Sequence, residues 1–353
     1  MTRTHLFLYL FLSVAVYTFP QAGNGVYRFL ELPTSSHLAA LGSTNVSLTD
    51  NDISFSLQNP ALLNSNCHHV LSLNSANYVD DINFGSVGYA RSIDSLNTVG
   101  IGIQYVDYGR FKGYTEINTP TGDFTAKDYA LNIVYSRKIN KNIFVGATFK
   151  PLFSNYEMYT SYGVAMDAGA VYKNDAKLYT CGFAIRNLGT QIKGYYSDVY
   201  GQHLEPLPLN IEFGFSKKFT HAPLRFSITM QNLQQWDFSY ESTNQPTSLL
   251  ENTDVKTEPT FYDNTMDKLN TLAKHAVIAF EFVPTKNFYA TVAYNHRRQE
   301  ELRSDGFKSM SGFSYGAGIK VFKFQCGFGM NQILTGNQAY YFSINTSLSD
   351  YKL

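Results

Sequence analysis

Residues 207 to 219, LPLNIEFGFSKKF, alternate between apolar and polar positions. Leu207, Leu209, Ile211, Phe213 and Phe215 share one phase, and Pro208, Asn210, Glu212, Gly214, Ser216 and Lys218 share the other. Period two is that of a β-strand, whose successive side chains point to opposite faces of the sheet. The pattern shows an apolar face but not whether protein or lipid covers it. The alternation recurs in fourteen segments: 68–79, 82–91, 98–108, 126–137, 141–152, 161–173, 177–187, 207–219, 224–233, 275–284, 287–297, 308–321, 323–330 and 337–347. Most run 10 to 13 residues. A tilted strand needs ~9–11 to cross a bilayer, whereas soluble strands average about 5–6.

The connections sort by length. Even-numbered ones are short, at 92–97, 138–140, 174–176, 220–223, 285–286 and the turn at Phe322. Odd-numbered ones include the longer 109–125, 153–160, 188–206 and 234–274, with Asp80-Asp81 as a short exception. In an antiparallel barrel all odd connections emerge at one rim and all even ones at the other. Short turns on one side and long loops on the other is the outer-membrane arrangement. The chain is therefore expected to be all-β, a 14-stranded antiparallel transmembrane β-barrel with its apolar phase toward lipid. Closure leaves no sheet edge unpaired in hydrocarbon, and an even strand count puts both ends of the barrel on the periplasmic side. The inward phase carries Asp167, Arg186, Glu212, Arg225, Glu281 and Lys320. These charges suit either a polar channel or paired filler in a plugged lumen.

Composition supports this reading. Charged residues are 16% of the chain, against about 25% for ordinary soluble proteins. Aromatics reach 15%, with 26 Tyr and 27 Phe against one Trp. Mean hydropathy is −0.20, and no apolar run after residue 20 approaches the ~20 residues of a spanning helix. A net charge of zero gives no electrostatic case for nucleic acid. Arg3 followed by the apolar stretch Leu6 to Phe19 reads as a secretory signal over residues 1–20, cleaved between 18 and 22.

Residues 21–66 precede the barrel proper, 67–353, and are too rich in Leu, Val and Phe for a floppy tail. Tied to the barrel start and carrying apolar groups, they are expected to fold into the lumen as a plug. Asp50-Asn51-Asp52 and Asn59-Pro60 are turn signals, with Pro60 biasing Asn59 to extended backbone. Gly100-Ile101-Gly102 and Gly327-Phe328-Gly329 lie inside strands, where glycine eases tilt or admits a close plug.

The chain shows no nucleophile elbow, phosphate-binding glycine loop, zinc signature or dinucleotide fingerprint. No catalytic residue, cofactor or metal is expected. Cys67-His68-His69 lacks further ligands at metal spacing, and Asp50 and Asp52 lack the remaining positions of a calcium loop and read as turn residues. Three cysteines are too few for a disulfide framework, and Cys181 and Cys326 fall on apolar phases as small hydrophobes. His203 and His275 have no serine context for hydrolysis. The candidates for partner binding are aromatic. Trp236, Phe238, Tyr240, Phe261 and Tyr262 stand among seven carboxylates and three lysines in 234–274, and Tyr195 and Tyr196 lie in 188–206. Aromatics in long loops are frequent binding hot spots, although Trp236 and Phe238 equally fit an interfacial aromatic belt.

Gln58-Asn59-Pro60-Ala61-Leu62 ahead of fourteen strands resembles the outer-membrane fatty-acid-transporter (FadL-like) superfamily. The longer string GNGVYRFLELPTSSHLAALGSTNVSLTDNDISFSLQNPALL, Ile185-Arg186-Asn187-Leu188-Gly189 and residues 201–228 resemble, more specifically, the PorQ family of the Bacteroidetes type IX secretion system. That resemblance covers nearly the whole mature chain. It implies a plug built around Asn59, Pro60 and Ala61 and a non-enzymatic role in an outer-membrane attachment complex. The implied partners are a PorZ-like surface protein and PorU-like and PorV-like complex members, in contact with outer-membrane lipid and lipopolysaccharide. In that complex a sortase-like peptidase joins secreted cargo to anionic lipopolysaccharide. The superfamily alone implies an alternative, uptake of hydrophobic solutes past an apolar pocket lined by Leu57, Leu62 and Leu63. One departure from many such barrels is the ending Asp350-Tyr351-Lys352-Leu353, without a terminal aromatic.

Overall fold

Fourteen antiparallel strands close on themselves, as the alternation predicts. The structure, a computed structural model, describes residues 25–78, 81–197, 201–202, 204–236, 269–302, 310–334 and 337–351. The signal-sequence expectation for residues 1–20 lies outside the described residues. The strands are β1 (Val70–Asn77), β2 (Asn83–Ser92), β3 (Asn97–Tyr114), β4 (Pro120–Lys138), β5 (Ile143–Tyr156), β6 (Tyr159–Asn174) and β7 (Tyr179–Lys193). Two short strands, β8 (Tyr196–Ser197) and β9 (Gly201–Gln202), pair apart from the barrel. The wall continues with β10 (Asn210–Lys218), β11 (Leu224–Met230), β12 (Ala276–Thr285), β13 (Phe288–Asn295), β14 (Phe313–Val321), β15 (Phe324–Leu334) and β16 (Asn337–Ser347). Each wall strand pairs with its chain neighbour, β7 pairs β10, and β1 pairs β16 to close the ring.

The opening segment settles which face is which. Phe213 is 44% exposed while Glu212, its neighbour, is fully buried. Ile103, Ile133, Phe149, Met166, Phe183, Phe280, Phe328 and Phe342 likewise stand exposed on the outer face. An apolar exterior over a polar interior reverses the soluble pattern and is the signature of a barrel in lipid. No helix among the described residues is long and apolar enough to cross a membrane.

Several element ends differ from expectation. The expected loop 109–125 is mostly strand, with β3 and β4 paired out to Tyr114 and Pro120 past a register shift at Asp107/Arg110. The expected loop 153–160 is also strand, paired to Tyr156↔Tyr159, and β7 runs on to Lys193 opposite Tyr162. Ladder hydrogen bonds need no apolar side chains, so pairing continues after the lipid-facing stripe has ended. The opposite happens at β13, where the Asn295 side chain accepts from Arg298 N (3.2 Å) and caps a helix, His296–Glu301. The sheet therefore stops short of residue 297. Lys320, expected on the inward phase, is exposed beside the β14–β15 turn.

Candidate functional site

The lumen is not empty. Residues 26–64 pass through it, almost all buried, in a series of short helical turns. The first, Arg28–Glu31, is entered from Tyr27 without a side-chain cap, and the four that follow each start on a side chain that caps them. Ser35 accepts from Leu38 N ahead of the helix Ser36–Ala40, and Asp52 from Ser54 N ahead of Ile53–Leu57. Asn59 accepts from Ala61 N ahead of Pro60–Leu62, and Asn64 from Asn66 N ahead of Ser65–Cys67. Such caps satisfy backbone donors that a dry lumen cannot. Apolar side chains of the plug then pack on one another, with Leu38, Leu41, Leu48, Phe55 and Leu62 in one cluster.

Glycines in the wall let this backbone come close. A Cβ on Gly102 would lie 3.2 Å from Leu57, and one on Gly100 3.3 Å from Leu63. At Gly329 it would collide with the Ser36 carbonyl, and at Gly182 with the Val46 carbonyl. Both Gly-x-Gly pairs singled out in the sequence therefore face the plug. Asn59, Pro60 and Ala61 sit at the centre of this contact. Asn59 donates to Val46 O (2.8 Å), and Pro60 backbone fills the space opposite Gly146.

Charged groups tie plug to wall and wall to wall. Arg225 donates through Nη1 and Nη2 to the two oxygens of Asp50, each at 2.8 Å, and through Nε to Glu281 (2.6 Å). His37 of the plug reaches the same Glu281 at 2.7 Å and stacks on Tyr289. Lys150 and Asp167 form a second buried pair at 2.5 Å. Arg186 pairs with Glu212 at 3.2 Å and also donates to Leu30 O (3.1 Å). Of the two readings left open for these charges, Asp167, Arg186, Glu212, Arg225 and Glu281 follow the paired filler, while Lys320 is exposed. At the turn-side end Cys67 is fully buried, and burial pushes its thiol pKa up to about 12.

Beyond the plug, among Arg186 of β7, Asn210 of β10 and Asn295 at the end of β13, an open cavity of about 450 Å³ remains. Arg28, Tyr78, Tyr108, Arg298, Asn331 and Tyr341 are among its lining residues. Its lining is mixed, with Phe29, Leu32, Ile82 and Val106 beside the charged groups. Leu57, Leu62 and Leu63, expected under an apolar pocket, are instead buried in packed clusters.

The loop aromatics fall apart as a group. Tyr195 is half-buried against the cluster formed by Val26, Tyr27 and Leu30, with its ring 5.3 Å from that of Tyr156. Tyr196 lies in the short strand β8. Trp236 is 58% exposed, with its ring 5.0 Å from His275. Phe238, Tyr240, Phe261 and Tyr262 lie outside the described residues, as does His203. Sequence reasoning missed Lys150, His37 and Arg298, and it took Asp50 for a turn residue. A lysine in the middle of an alternating strand was the available signal for Lys150.

No protein-family model matches the chain, and no curated protein matches it. Solved structures do. A Pseudomonas aeruginosa FadL homologue superposes with a TM-score of 0.52 at 13% identity, over 92% of this chain and 100% of that one. The fold is that of the FadL-type outer-membrane barrels. The Pseudomonas putida toluene transporter TodX gives a TM-score of 0.49 at 10% identity, over 89% of this chain and 96% of that one. With its lipid-facing belt, a barrel of this fold belongs in an outer membrane.

Proposed function

We propose that this protein is a closed, non-enzymatic outer-membrane anchor that holds a surface protein through its outer rim. The observation that supports this most is the plugged lumen. Among the described residues, Arg225, Glu281, Lys150, Asp167, Arg186 and Glu212 are engaged in ion pairs with the plug or with one another, which suits a closed barrel better than a polar conduit. In its finer form, resting on the sequence resemblance, the anchor belongs to a type IX secretion attachment complex. A PorZ-like surface protein would be the direct partner, with PorU-like and PorV-like members completing a complex that joins cargo to anionic lipopolysaccharide. The outer hairpin β3–β4 offers exposed apolar side chains for such a contact, Phe111, Tyr114 and Ile117 among them.

Cross-linking on intact outer membranes, followed by pull-down and mass identification, tests the reading. A stoichiometric surface partner that is lost when 241–272 is deleted, while the barrel stays heat-resistant, is the expected result. The second reading is a channel for hydrophobic solutes, favoured by the fold shared with the FadL homologue. It expects a fatty acid or hydrocarbon co-purifying with the barrel and no stoichiometric partner.

A further inference from the structure

At the short-turn rim the turns after β6 and β10 stand side by side, held by Lys218 N donating to Leu178 O at 2.9 Å. A second cavity, of about 200 Å³, opens between them. Its lining carries four cations, Lys173, Lys217, Lys218 and Arg225, and two carboxylates, Asp50 and Asp175. Both carboxylates are taken. Asp50 holds Arg225 at 2.8 Å, and Asp175 meets Lys173 at 3.0 Å. The remaining two positive charges belong to Lys217 and Lys218, and neither has a carboxylate within ion-pair distance among the described residues. Lys217 Nζ donates to a backbone carbonyl, Lys177 O, at 2.9 Å, and Lys218 is exposed.

The position of this charge is set by the lipid-facing stripe. Lys217 follows Phe213 and Phe215 on the outward phase of β10. Its ammonium stands 6.0 Å from the centre of the Tyr179 ring. Tyr179 continues a row of rings on the outer face, 6.1 Å from Phe215 on one side and 6.0 Å from Tyr172 on the other. A lysine lying on aromatic rings where an apolar stripe ends marks the level at which acyl chains give way to headgroups. The same order recurs on β4, where exposed Arg137 follows exposed Ile133 and Tyr135. At the other end of that strand the outward cation, Lys127, is neutralised by Asp107 at 3.0 Å. The cavity is smaller than an ordinary small-ligand pocket of about 300–1,000 Å³, which suits a headgroup whose chains stay outside.

We propose that the short-turn rim binds the phosphate headgroup of an anionic phospholipid between the β6–β7 and β10–β11 turns. Lys217 and Lys218 hold the phosphate, and the acyl chains lie along Phe215, Tyr179 and Tyr172. An acidic protein segment would answer the lysines but brings nothing to cover the row of rings, and the lipid is favoured for that reason. The site requires only the barrel in its membrane and is independent of the anchor role.

Native mass spectrometry tests the site, on the full chain in micelles loaded equally with dioleoylphosphatidylglycerol and dioleoylphosphatidylcholine. A basic residue near an anionic lipid contributes about fivefold, so the two lysines should give a preference of about tenfold or more for a single phosphatidylglycerol. Lys217→Gln combined with Lys218→Gln should erase the preference. Lys141→Gln combined with Lys286→Gln removes the same charge from two other exposed turns and should leave it intact. The site is overturned if the barrel retains both lipids alike, or if the two double variants behave the same. The lipid is overturned if glycerol 1-phosphate or a hexaglutamate peptide displaces it at equal concentration, which would assign a free phosphate ester or an acidic protein in its place.

Discussion

Asp50 in the plug and Arg225 on β11, 175 residues apart in the chain, meet in a two-pronged ion pair with both N–H···O distances at 2.8 Å. The same guanidinium grips Glu281 on β12, so one side chain fastens the plug to two strands of the wall. Asp50→Asn keeps the size of the side chain and removes its charge. It should cost about 1.5–3 kcal/mol, the range for a hydrogen bond to a charged group, and loosen the plug at its turn-side end. Heat-modifiable gel mobility should show a lower midpoint, and planar-bilayer recordings should show more conductance than the parent. A silent, equally stable Asp50→Asn barrel would mean that the pair does not hold the plug.

Lys150 and Asp167 test the same idea within the wall. Their side chains are 1% and 0% exposed, and Asp167 also accepts from Asn187 N (2.8 Å). Removing one partner of such a pair strands the other in low dielectric, at about 3–5 kcal/mol. Lys150→Met should therefore destabilise the barrel by that amount, while Lys150→Met combined with Asp167→Leu should recover most of it. Denaturant titrations of the two variants in detergent would show the recovery. A double variant as unstable as the single one would place the cost in packing and not in charge.

The sequence carried the barrel because lipid imposes a rule on every strand: Phe213 must face out and Glu212 must not. Pairing beyond the membrane obeys no such rule, and the strand residues between Gly109 and Thr125 consequently read as loop. The plug was legible from its apolar content and from the glycines that face it, Gly100, Gly102, Gly327 and Gly329. Its fastenings were not. Asp50 looks like any turn aspartate, because its partner Arg225 is placed by closure of the barrel and no local spacing announces it.

Glycine at 182 is required by contact and not by backbone freedom. A methyl there would strike the carbonyl of Val46, a backbone atom that cannot swing aside. Overpacking of this kind costs about 1–3 kcal/mol. Gly182→Ala should lower the midpoint of heat-induced unfolding and raise the rate at which protease clips the plug. An alanine barrel with parental protease resistance would show that the plug does not press on β7.

Cys67 reports on the plug from inside. Its side chain is buried, and burial raises its pKa to about 12, so at neutral pH the thiolate is scarcer than in an exposed cysteine by roughly a thousandfold. Raising a thiol's pKa disfavours the nucleophile, and the surrounding protein excludes the reagent as well. In a background with Cys181→Ser and Cys326→Ser, iodoacetamide at pH 7.5 should label Cys67 in denaturant and leave it untouched in the native barrel. Labelling should appear in the native Asp50→Asn protein to the extent that this change frees the plug, which couples the reactivity of one residue to the ion pair of another. Rapid labelling of the native parent would mean that the plug leaves the lumen on its own, and the closed anchor would then have to be replaced by a gated channel.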